Sequence, residues 1–164
     1  MDIITIIELI SLIFVPIQIF LIYKQIKIAQ NQMNENRKLS KINATLKILS
    51  EYSSLIMKID DILLDKIKLL SLESYDFNTN EMNTLLKNIS NRKQLFMVCD
   101  YFERLSLGIN SKCVDEDIIY AHMGPTLITN FDNLNAYIFI RRNETKCDIC
   151  GNFEYLVKKW KKNQ

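Results

Sequence analysis

The sequence predicts an all-α protein, and three observations predict it. No Gly or Pro occurs between Gln18 and Leu107, a distance over which a β protein would need turn residues many times. Apolar residues recur at helical spacing, as in Leu55, Ile59, Ile62, Leu63 and Ile67. Capping residues stand where those stripes begin, as in the run 74–80 (SYDFNTN) and at Asp115.

The first element is the apolar stretch 3–23, which has no Lys or Arg and one acid, Glu8. A helix of that length covers roughly 30 Å, the hydrocarbon thickness of a bilayer. A cleaved signal peptide would need a basic start and a small-residue cleavage site. Here Asp2 opens the chain and Lys24-Gln25-Ile26-Lys27 follows the stretch. A buried core helix is the other alternative, favoured by Glu8, Gln18 and Pro16. The expectation is a transmembrane helix over 1–23. Basic residues lie just after it, at Lys24, Lys27, Arg37, Lys38, Lys41 and Lys47. The positive-inside rule then places residues 24–164 in the cytoplasm of a single-pass inner-membrane protein. Lys24, Lys27, Arg37 and Lys38 are also candidates for contact with anionic lipid headgroups.

A basic stalk helix is expected over 24–50. Its thin apolar spacing suggests a connector, with a break near 34–36. A cytosolic helical domain follows over 51–164. Its apolar stripe runs over 49–72, and 74–80 is a capped loop. A helix resumes near Glu81 and ends at Gly108 as a left-handed cap. Asp115 caps the next helix, whose acidic start suits the positive helix end. That helix should kink at Gly124-Pro125. Residues 143–151 form a loop, and Phe153 to Lys161 a terminal helix.

The net charge of +2 argues against a general nucleic-acid binder. Cys147 and Cys150 have the spacing of one zinc knuckle, but Cys99, Cys113 and His122 make no second pair, so no metal or cofactor is expected. The four cysteines fall in the part placed inside the cell and should be free thiols. His122 is the only histidine, and no Arg precedes it by the four to six residues that a HEPN-type ribonuclease uses. There is no Gly-rich phosphate loop. No catalytic residue is assigned and the chain is read as non-enzymatic. The run Tyr101-Phe102-Glu103-Arg104 combines aromatic area with two charges. It is read either as core or as an oligomer or partner surface. A closed ring of copies would explain Glu8 and Gln18 as pore-lining residues.

Three motifs together resemble a bacterial family of small proteins of unknown function with one N-terminal span. They are Tyr101-Phe102-Glu103-Arg104-Leu105-Ser106-Leu107-Gly108, the acidic start Val114-Asp115-Glu116-Asp117, and Asn152-Phe153-Glu154-Tyr155-Leu156 with Trp160. The architecture is similar to the small membrane accessory protein of type VI-B CRISPR systems. That resemblance implies a HEPN-like bundle, a homo-oligomer, membrane lipids as partners, and an accessory role beside an RNA-guided nuclease or other defence protein. RNA is a further partner class, and it rests on the two locally basic stretches, 24–47 and Lys158, Lys159, Lys161 and Lys162. The alternative expectation is a tethered scaffold or sensor that recruits a protein or RNA and forms no pore.

Overall fold

The structure, a computed structural model, describes residues 3–59, 63, 67 and 77–162, and their side chains apart from those of 3–11 and 13. The regular elements among those residues are all helices, with no strand among them. The helices are α1 (Ile3–Ile56), α2 (Thr79–Leu86), α3 (Ile89–Asn110), α4 (Glu116–Thr145) and α5 (Gly151–Lys162). The chain divides into two units, Met1–Ser40 and Lys41–Gln164.

The first unit is the N-terminal part of α1. Leu12 and residues 14–23 are exposed, as are Lys24, Lys27, Arg37 and Lys38. The helix passes through 34–36 without the expected break, and it contains Pro16. The expected membrane span is corrected here. Among the described residues, no helix is long and apolar enough to cross a membrane. The transmembrane, pore and inner-membrane expectations are overturned with it. Glu8, read as pore-lining, has its side chain outside the described residues; Gln18 is exposed on α1.

The second unit is a bundle organised around α3. Leu95, Val98, Cys99, Tyr101, Phe102, Leu105 and Ile109 of α3 are all buried. Around them lie Ile119, Met123, Leu127, Leu134, Tyr137 and Ile138 of α4, and Phe153, Leu156, Val157 and Trp160 of α5. Leu55, Ile59, Leu63 and Ile67 are also buried and follow one another at every fourth position. Ile62 and Leu70, expected on the same stripe, lie outside the described residues. An aromatic series links four helices at ring separations that favour attraction. Tyr52 stacks on Tyr101 at 5.5 Å, Phe102 meets Phe153 at 5.0 Å, and Phe131 meets Phe153 edge-on at 5.1 Å.

Local chemistry sets the helix ends. Asn78 accepts from the backbone N–H groups of Asn80 and Glu81, and Glu81 accepts from that of Asn78, closing a capping box. Asn88 caps α3 through the Ser90 N–H at 2.8 Å. That cap splits the single helix expected from Glu81 onward. Gly108 does not end α3: Lys112 takes the left-handed conformation with φ 60°, while the Gly108 carbonyl accepts from Cys113 and Val114. Asp115 caps α4 as expected, and its own N–H donates to the buried Thr45 hydroxyl at 2.8 Å. α4 runs unbroken past Pro125. A Cβ on Gly124 would stand 2.7 Å from the Tyr120 ring, so only glycine lets that ring lie against its own helix and meet Trp160 at 5.0 Å.

The last helix is fastened at both ends by carboxylates from elsewhere. Glu103 of α3 accepts from the backbone N–H groups of Asn152 at 3.1 Å and Phe153 at 2.9 Å, and from the Asn152 amide at 2.8 Å. It thus supplies the N-terminal cap that α5 lacks in its own sequence. Glu116 of α4 accepts from the Trp160 indole at 2.8 Å and from Lys159 at 2.6 Å. Arg142 donates to the Ile149 carbonyl at 2.8 Å and to Glu154 at 2.7 Å.

Removing the Glu103 carboxylate leaves two helix-start N–H groups unpaired. Glu103→Ala should lower the unfolding free energy by about 2 kcal/mol, read from the urea midpoint, with Glu103→Gln losing less.

Burial pushes the Glu116 carboxyl up, but the hydrogen bonds from Lys159 and Trp160 outweigh it and hold the group below the usual carboxylate value of 4.5. Hydrogen bonds from Lys158 and Arg142 lower Glu154 likewise. Carboxyls depressed on folding stabilise the protein above their unfolded value, and that stability is lost as pH falls through the folded value. The melting temperature should therefore decline as pH drops below about 4.5, and Glu116→Gln should flatten the decline.

Candidate functional site

The residues that sequence reasoning grouped as a surface are divided by the fold. Tyr101 and Phe102 are buried at 3% and 1% exposure, so they are core residues and not a partner surface. The Tyr101 hydroxyl donates to the Ile48 carbonyl at 3.0 Å, and burial pushes its ionisation well above the ordinary tyrosine value. Glu103 is committed to α5. Only Arg104 is exposed, where it pairs with Asp100 one turn away at 3.0 Å.

A different part of α3 faces outward. Ile89, Phe96 and Met97 are 71%, 57% and 37% exposed. Phe96 stands at the meeting of three cavities. One, of about 450 Å³, is a groove between α3 and α4 lined by Ile89, Arg92, Lys93, Phe96, Met97, Tyr137 and Arg141. The second, of about 330 Å³, brings Phe96, Met97, Asp100 and Arg104 against Glu51 and Lys58. The third, of about 190 Å³, includes Cys99, Glu103, Tyr137, Arg141 and Cys150. Tyr137 is buried, which raises its ionisation to about 12, so its phenol stays protonated at neutral pH.

This face was missed in the sequence, although a signal for it was present. Residues 95–99 (LFMVC) are five consecutive apolar positions. Successive helical residues are about 100° apart, so such a run cannot point to one side. Leu95, Val98 and Cys99 take the core, and Phe96 and Met97 are left outside.

The fold separates the two cysteines that share the spacing of a zinc knuckle. Cys147 is exposed, whereas Cys150 is buried with its thiol 3.9 Å from the Cys99 carbonyl. Among the described residues, no group of three or more His, Cys, Asp or Glu side chains is placed to hold a metal ion. His122 is exposed on α4, and Asp115 and Glu116 are absorbed in helix contacts.

The hydrogen bond from Cys150, and then burial, raise the Cys99 thiol well above its ordinary value. A thiol reacts as its thiolate, which is the nucleophile that attacks the reagent. A thiol-specific reagent at pH 8 should therefore label Cys113 and Cys147 quickly, and Cys99 and Cys150 only after denaturation. Mass mapping of the labelled peptides checks this.

Residues 5–160 match the family described as Domain of unknown function (DUF4760), and the chain belongs to that family. No curated protein and no solved structure matches it.

Proposed function

We propose that this member of the DUF4760 family is a non-enzymatic interaction module that recruits a protein partner on the outer face of α3. One observation carries the reading: Ile89, Phe96 and Met97 are exposed together on a helix whose other side is wholly committed to the core. Apolar side chains grouped on a folded surface, with charged residues at the edge, are typical of binding sites. Isolated exposed apolar residues would need no explanation. These three share one groove, and its walls belong to two helices that the bundle holds firmly.

The HEPN-like arrangement implied by the resemblance belongs to this reading. In it, a helical bundle without the Arg–His pair serves as a binding scaffold. An accessory role in antiviral defence is one case of the same reading, with an RNA-guided nuclease or another defence protein as the client.

The test is site-specific photo-crosslinking in the native host. A photoreactive residue at Phe96 should give a discrete adduct with a second polypeptide. The same residue at Tyr155, which is exposed on α5, should give none. Equal products from both positions, or an adduct at Phe96 made only of a second copy of this chain, would refute recruitment through this face.

A further inference from the structure

The groove between α3 and α4 has a shape and a charge that narrow its occupant. Ile89, Arg92, Lys93, Phe96 and Met97 form one wall, and Tyr137 and Arg141, one turn apart, belong to the other. From Ile89 to Met97 that first wall is about 12 Å long at 1.5 Å per residue, or two helical turns. A helix laid along it would present apolar residues at i, i+3 or i+4, and i+7, which cover about 10 Å. A strand partner would need a sheet edge, and the described residues contain none.

Charge selects among helices. The charged residues lining the groove are all cationic: Arg92, Lys93 and Arg141. Glu144 sits at this rim, 3.3 Å from Arg92 and hydrogen-bonded to Arg141. One carboxylate is thus shared by two guanidinium groups, and the rim keeps an excess of positive charge. Glu144 also shows how an acidic side chain is held there. Asp100 lines both neighbouring cavities, with Glu51 in that of about 330 Å³ and with Glu103, Asp148 and Arg141 in that of about 190 Å³; there Asp100 pairs with Arg104, Asp148 with Arg142, and Glu103 caps α5. An acidic flank is therefore favoured toward Arg92 and Lys93, which line neither cavity that holds Asp100. An RNA strand would need phosphate contacts along a polar track, whereas Ile89, Phe96, Met97 and the Tyr137 ring make this groove largely apolar.

We infer that the groove binds an amphipathic helix of a partner protein, with an apolar stripe seated on Phe96 and an acidic flank against Arg92, Lys93 and Arg141. The inference rests on the recruitment reading and names the chemistry of the recruited segment.

Fluorescence anisotropy with the full-length chain tests it, using three labelled probes. One is a helical peptide with a Leu stripe and Glu flanks, the second has Lys in place of Glu, and the third is an oligo(U) RNA. The Glu-flanked peptide should bind at least about tenfold more tightly than the Lys-flanked one, a difference of about 1.4 kcal/mol. Phe96→Ser and Lys93→Glu should each weaken it about fivefold or more, by loss of an apolar anchor and by charge reversal. Tyr155→Ser should leave it unchanged. Unaltered thermal melting of the variants would assign the loss to the groove; Phe96 and Lys93 are both exposed, so melting should hold.

Equal or tighter binding of the Lys-flanked peptide, displacement by the RNA, or indifference to Phe96→Ser would overturn the proposal. If the Glu-flanked peptide does not bind while Phe96 still crosslinks a partner, the helix assignment fails and recruitment stands. If neither occurs, both fail.

Discussion

The Glu103 carboxylate is the interaction on which the bundle depends. α5 begins after Cys150, a residue with no side-chain oxygen to cap a helix, and its first N–H groups reach across to α3 for an acceptor. That reach fixes the position of the last helix. It brings Phe153 over Phe102, places Leu156 and Val157 in the core, and carries Trp160 to Glu116 at the far end. A helix of 12 residues is marginal in isolation. Here its order comes from packing and from two borrowed carboxylates. The motifs around Glu103, Glu116 and Asn152-Phe153-Glu154 therefore form one unit in space, although they are far apart in the chain.

That arrangement also decides what remains available for binding. α3 is crowded on the sides that meet α4 and α5, and Glu103 turns inward to its cap. The outward side has no such duty. Phe96 and Met97 are flanked along the chain by residues that the core claims, which keeps their backbone rigid. A rigid helical wall loses little conformational entropy when it meets a partner.

The all-α class was legible from the lack of turn residues and from the apolar spacing. The start of α4 was legible because Asp115 and the acids after it act locally. Other features escaped for identifiable reasons. Gly108 reads as a helix end, yet the left-handed position falls on Lys112, because the Gly108 carbonyl is needed to close the turn. Tyr101 and Phe102 read first as core and second as surface, and the approach of α5 and Tyr52 settles them as core. Cys147 and Cys150 read as a pair by spacing, but the fold gives Cys150 to Cys99. The membrane span expected at the N-terminus rested on hydropathy, and the described helix does not support it. The groove escaped because its two walls come from residues 40 or more positions apart, a pairing that no local pattern reports.

The place of α5 in the chain has a consequence for biosynthesis. Chains emerge from the ribosome N-terminus first, and domains close as units. Glu103 and Phe102 emerge well before the segment they are built to hold. Until residues 151–162 have left the exit tunnel, α3 and α4 expose the slot that Phe153, Leu156 and Trp160 later fill. The bundle is thus completed only once that segment has emerged, and the nascent chain is most vulnerable to wrong association in the interval before it does.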